Sequence, residues 1–150
     1  MVIRSARIED AAEMARLSGE LGYPVTVEDM AQRLEAVLPD ERHHVIVAAE
    51  GDRLLGRLHV ERQVSIELGD RCELMGVVVD AGARRKGIGR ALIDAAEEWA
   101  RSQGVTSIVV RSNVARDQSH PFYESLGYVR SKTQHVYTRT LGTNPGAPGV

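Results

Sequence analysis

A chain of 150 residues, 43% hydrophobic and 27% charged, is sized for one domain with a substantial core. A formal charge of −2 gives nucleic acid and lipid surfaces no general electrostatic hold, and no run of about eighteen apolar residues offers a membrane span. Cys72 has no internal disulfide partner, the histidines show no metal-ligand spacing and Met1-Val2-Ile3-Arg4 lacks a signal-peptide core, so a metal-free protein of the reducing cytoplasm is expected.

Val2 to Ile8 alternates as a strand does. Glu9 and Asp10 then open a helix at the end where negative charge is favoured, with Ala11, Met14, Ala15, Ser18 and Leu21 along one side. Gly22-Tyr23-Pro24 stops it. Thr26 with Asp29 three places on reads as a second helix start, Met30, Leu34, Val37 and Leu38 form its apolar stripe, and Pro39 ends it. His44 to Ala49 and Leu54 to Val60 flank the turn Glu50-Gly51-Asp52 as a hairpin. Ser65 to Asp70 is compatible with an extension of that hairpin or with a crossover.

The stretch from Glu73 to Gly104 organises the rest. Val77, Val78 and Val79 are a β-branched run suited to an interior strand. From Ile88 the apolar residues Ala91, Leu92, Ala95, Ala96, Trp99 and Ala100 give one buried helical face, and Gly104 stands where a left-handed cap would end it. Between them lies Arg84-Arg85-Lys86-Gly87-Ile88-Gly89-Arg90. Glycines at 87 and 89 allow close approach to the backbone, the first helical turn offers unpaired N–H groups, and four basic side chains surround it, a setting for phosphate. A P-loop would need Lys and Ser/Thr after Gly87, where Ile88 and Gly89 stand. A dinucleotide fingerprint would need glycine at Leu92 and an acid near Arg111.

Thr106 to Arg111 is a short apolar strand expected to run parallel to the one before the helix, through a right-handed crossover. Ala115 to Leu126 reads as a short helix closed by Gly127. Val129 onward, through Gln134 to Thr138, gives one or two final strands, and 142–150 is expected to be a disordered tail after a domain over 1–141.

Arg84-x-x-Gly87-x-Gly89 resembles the phosphate loop of the GCN5-related N-acetyltransferase superfamily, and Ser112-Asn113 followed by Phe122-Tyr123-Glu124-Ser125-Leu126-Gly127-Tyr128 resembles its second signature. The resemblance implies an α/β (α+β) chain with the acyl-CoA N-acyltransferase fold: a mixed, mainly antiparallel sheet of six to seven strands with helices on both faces. It further implies that the organising strand and the one at Thr106 splay apart to receive a pantetheine arm, and that acetyl-CoA is the co-substrate. Cofactor contacts are then expected from Val77, Val78, Val79, Arg84, Arg85, Lys86, Gly87, Ile88, Gly89, Arg90 and Asn113.

The implied reaction is attack of a primary amine, expected on a small molecule, upon the thioester. The resemblance makes Tyr123 the general acid, and a phenol of pKa about 10 is suited to protonate a thiolate of about 8.5. Glu73 is the candidate base near the strand, with solvent-facing charge as its ordinary alternative. Glu20, Glu28 and Asp29 are either an acidic rim for a cationic amine or plain solvated charge. A sensor that binds acyl-CoA without turnover, or an enzyme acting on a protein N-terminus or lysine, stays open, as does a homodimer.

Overall fold

The computed structural model of the chain describes residues 1–84, 86–112 and 119–142. They fall into two compact units, Met1–Arg111 and Ser112–Val150. The expected cofactor contacts Arg85 and Asn113, the start of the helix expected from Ala115, and the tail from 143 lie outside the described residues.

The first unit is a five-stranded sheet in sequence order. It comprises β1 (Val2–Ser5), β2 (His43–Glu50), β3 (Arg53–Ser65), β4 (Gly69–Val79) and β5 (Ile108–Val110). Helices α1 (Ala11–Glu20) and α2 (Val27–Val37) follow β1, and α3 (Ile88–Ser102) joins β4 to β5. The first four strands pair antiparallel, and β5 joins β4 in parallel, as the crossover helix requires. The undecided stretch at Ser65 to Asp70 extends the hairpin: Ser65 faces Gly69 across the turn, and Arg62 holds Asp70 with two bonds of 2.9 and 2.6 Å.

One sheet face packs on α1 and α2. Met14, Leu17, Met30 and Leu34 meet Val45, Val47, Leu54 and Val78 in a single core cluster. Ile88, Leu92, Ile93, Ala96 and Ala100 are the buried side of α3, and His44 of β2 stacks on Trp99 at 5.4 Å. Gly56 is a glycine for a packing reason, because a Cβ there would lie 3.0 Å from Leu92 and 3.1 Å from Ile88. Both helix signals behave as read: Thr26 Oγ1 accepts from Asp29 N–H at 3.0 Å. Gly104 adopts φ 78° while Val105 N–H reaches Ala100 O and Gly104 N–H reaches Arg101 O, the paired bonds of a Schellman close.

The second unit contains α4 (Ser119–Ser125), ended by Gly127 at φ 90°. The sequence expectation of six to seven strands is corrected here to five among the described residues. Val129 to Leu141 forms no strand, and Val129, Val136, Tyr137 and Leu141 stay exposed. A β-branched and aromatic pattern becomes a strand only where a neighbour supplies the ladder, and among the described residues none pairs this segment. The opening strand is also shorter than read, since Ile8–Asp10 turns as 3-10 helix where Asp10 takes two bonds from Arg4 and one from Arg7 N–H.

Candidate functional site

The site begins where β4 outruns β5. The two pair only at Cys72↔Ile108, Glu73↔Val109 and Leu74↔Val110, whereas β4 continues to Val79. Across Met75 to Val79 that edge has no strand beside it among the described residues. A bulge sits at the parting: His59 faces Gly76 and Val60 faces Leu74, leaving Met75 as the extra residue. Val77, Val78 and Val79 all lie along this free edge. Val78 is buried in the α1 core, and Val77 and Val79 register with Leu58 and Gly56 toward α3.

At the end of the same strand Asp80 fixes the turn. Its Oδ1 accepts from Gly82 N–H at 2.8 Å, and its Oδ2 from Arg16 at 2.7 Å and Arg53 at 2.8 Å. Arg16 also binds Glu13, Glu20 and Leu54 O, which ties the turn to α1 and β3. The Arg16 bond is the chief reason that Asp80 sits below the usual carboxylate range. Beyond it Arg84, Lys86 and Arg90 are exposed, Ile88 is buried as an anchor, and Gly87 caps α3 at φ 76°. The first helical bond is Ala91 N–H to Gly87 O, so the N–H groups of Ile88, Gly89 and Arg90 have no partner within the helix. A free strand edge and a basic helix N-terminus at its end form one surface.

The sequence matches the profile of the Acetyltransferase (GNAT) family over residues 9–128. The chain belongs to that family. It is 30% identical over 121 residues to the uncharacterized N-acetyltransferase YhdJ of Bacillus subtilis, covering 80% of this chain and 85% of that one. It is 30% identical over 117 residues to glucosamine 6-phosphate N-acetyltransferase 1 of Oryza sativa subsp. japonica, covering 74% of this chain and 68% of that protein. Among solved structures, aminoglycoside N-acetyltransferase AAC(6')-Iy in complex with CoA superposes with a TM-score of 0.78 at 17% identity, over 93% of this chain and 100% of that one. The fold is the acyl-CoA N-acyltransferase fold, and the protein is an N-acetyltransferase of the GNAT family.

Two side chains that the sequence singles out are set in unlike surroundings. Tyr123, on α4, lies edge-on to Phe122 at 5.3 Å and to Tyr128 at 6.0 Å. Glu73 is 5% exposed, so the solvent-facing alternative does not hold. Its Oε1 accepts from Arg111 and its Oε2 from Gln63 at 3.3 Å. The bulge also changes which face Glu73 occupies. Simple alternation puts it with Val77 and Val79, but the inserted Met75 shifts it to the face of Gly76 and Val78, where it registers with Glu61.

That face of this GNAT chain carries polar residues that motif reading missed. His59 Nε2 and His43 Nδ1 share a hydrogen at 2.8 Å, His43 Nε2 lies 3.0 Å from Glu61, and Gln63 donates to both Glu61 and Glu73. The signal was present as Arg57-x-His59-x-Glu61-x-Gln63, four polar residues of one parity on a long strand. Beside them is a cavity of about 200 Å³ lined by Met14, Ser18, Met30, Arg57 and His59, among others. None of Glu20, Glu28 and Asp29 lines it, and Glu20 is engaged by Arg16.

These environments set an acid profile. Burial, followed by the His43 charge, pushes His59 down to about 4 from 6.5, and burial lowers His44 too. A histidine kept neutral by the fold lends full stability above pH 6.5 and loses it between pH 6.5 and about 4, as the unfolded chain takes up the proton first. Asp80, Glu13 and Asp10 are depressed chiefly by Arg16, Arg16 and Arg4 respectively, so their share is complete above the ordinary carboxylate values of 3.8 to 4.5 and is lost at lower pH. Melting temperature is therefore expected to be flat above pH 6.5 and to fall in two stages below it. His59→Asn should shrink the upper stage, leaving the share of His44, without touching the lower one; an unchanged profile would show that His59 does not contribute to it.

Proposed function

We propose that the protein transfers an acetyl group from acetyl-CoA to the primary amine of a small molecule, by direct attack, within one functional domain reaching from residue 1 to 141. The observation that carries this reading is the unpaired β4 edge running from Met75 into the helix N-terminus at Gly87. An extended arm with amide groups can add to the edge as a strand would, and a pyrophosphate can end on the N–H groups of Ile88, Gly89 and Arg90 beside Arg84, Arg85 and Lys86. The span of the family match, residues 9–128, across both compact units supports a single domain.

In this reading main-chain N–H groups of Val77 to Val79 hold the arm and polarise the thioester carbonyl, and Asn113 hydrogen-bonds the arm. Tyr123 protonates the leaving thiolate. Only about one alkylamine in a thousand is neutral at pH 7, so a proton acceptor is required. Glu73, which Arg111 bonds, takes that role directly or through water. A small-molecule acceptor is supported by the relatives, whose names specify glucosamine 6-phosphate and an aminoglycoside. Thiol release from acetyl-CoA with a panel of small amines tests the reading. Amine-dependent CoA production is expected; tight binding of acetyl-CoA with no CoA released for any amine would favour a sensor.

A further inference from the structure

The cavity under α1 and α2 has a charged floor. Arg57, on β3 opposite Val47 and Val78, is largely withdrawn from solvent, and burial pulls its pKa down. Its only hydrogen bond among the described residues runs from Nη2 to the neutral Ser18 Oγ at 2.6 Å, and its Nε is buried with no partner. No described carboxylate lies within ion-pair distance of it, whereas Arg4, Arg16, Arg42, Arg62 and Arg111 each hold one. A half-buried guanidinium with no carboxylate partner and a buried, unbonded Nε costs stability. Met14, Met30, Leu34 and Val45 belong to the apolar core cluster on this face of the sheet.

The remaining charges agree. Exposed Arg33 stands at the rim, His59 is neutral at pH 7, and no acid is among the lining residues. The carboxylate next along β3 on this face, Glu61, is occupied by His43 and Gln63. The cavity also lies one strand from the parting of β4 and β5, since His59 registers with Gly76. About 200 Å³ is below the range of about 300–1,000 Å³ that holds drug-sized ligands, so a small occupant is called for.

We infer that the acceptor amine carries an anionic oxygen group, a carboxylate or a phosphate, that pairs with Arg57 while its apolar part packs on Met14, Met30 and Leu34. This rests on the amine-acetyltransferase reading and sharpens it: polycationic amines are disfavoured by Arg57 and Arg33, and an anionic acceptor supplies the partner that Arg57 lacks.

The test uses matched ligands on the full chain saturated with acetyl-CoA. L-Methionine is compared with its methyl ester, glucosamine 6-phosphate with glucosamine, and kanamycin serves as the polycation; binding is read by calorimetry and turnover by thiol release. At least one ligand bearing the carboxylate or phosphate is expected to bind about 10-fold or more tightly than its partner lacking that group, the pair that shows it identifying carboxylate or phosphate. Arg57→Met should abolish that preference and melt at a higher temperature than the parent, because an unpaired charge leaves the core. Arg33→Met, at the exposed rim, should narrow the preference without affecting the melt. Equal binding within both pairs, no binding by either anionic ligand, tighter binding of kanamycin, or an Arg57→Met loss equal for charged and neutral ligands would overturn the inference. The two readouts separate it from the reading beneath it: anionic preference without CoA release would sink the enzymatic reading alone, and turnover restricted to neutral or polycationic amines would sink this inference alone.

Discussion

Gly89→Glu is expected to fold normally and to bind acetyl-CoA at least about 100-fold more weakly, a loss of about 2.7 kcal/mol. Gly89 is the second residue of α3, within the turn whose N–H groups have no partner inside the helix. A glutamate there gives the backbone a better helix former than glycine and sets negative charge against the positive end of the dipole, so the helix itself gains. The same side chain occupies the space in front of those N–H groups and repels a pyrophosphate. Thermal melting and coenzyme titration therefore move in opposite directions: melting temperature unchanged or raised, affinity lost. A variant with undiminished affinity would place the phosphates elsewhere and remove the helix terminus from the site.

The glycine-punctuated basic turn and the start of α3 were legible because their parts are consecutive. Two glycines, four basic residues and a strong helical stripe lie within one short stretch, and local chemistry fixes their relation. The same holds for Thr26 and Gly104, whose capping roles depend on neighbours a few residues away. What lies behind the turn was not legible. Arg16 and Asp80 are 64 positions apart, and nothing local to either announces the bond that fixes the loop against α1. Asp80-x-Gly82 did carry a local signal, an aspartate able to accept from the N–H two residues on.

Parity was the other obstacle. A bulge adds one residue without a mark in composition, and Met75 reads as one more apolar residue in an apolar strand. Missing it reverses the face of every residue on one side, so simple alternation groups Glu73 with Val77 where the register puts it with Glu61 and Gly76. The last strands failed for a different reason. Val136 and Tyr137 have the right propensities, but pairing is a property of a neighbouring edge, which sequence periodicity does not supply. Arg57 escaped because a polar residue alternating on a half-buried strand is usually solvated, and only its burial without a carboxylate distinguishes it.

Tyr123→Phe is expected to lower kcat about 100-fold and to leave acetyl-CoA affinity unchanged, the lower end of what a positioned acid contributes. The substitution removes one oxygen and keeps the ring, so the edge-on contacts with Phe122 and Tyr128 survive. A tyrosine that only packed would therefore show almost no kinetic effect on becoming phenylalanine. If Tyr123 protonates the departing sulfur, the effect falls on kcat and kcat/KM together, the mark of an interaction made only in the transition state. It also depends on pH: parent activity should decline as pH approaches about 10, where a phenol gives up its proton, and the variant should lack that limb. Thiol-release kinetics between pH 6 and 10 on both proteins read all three quantities. A change in kcat of less than about threefold, or a high-pH limb that persists in the variant, would leave the thiolate to be protonated by some other group.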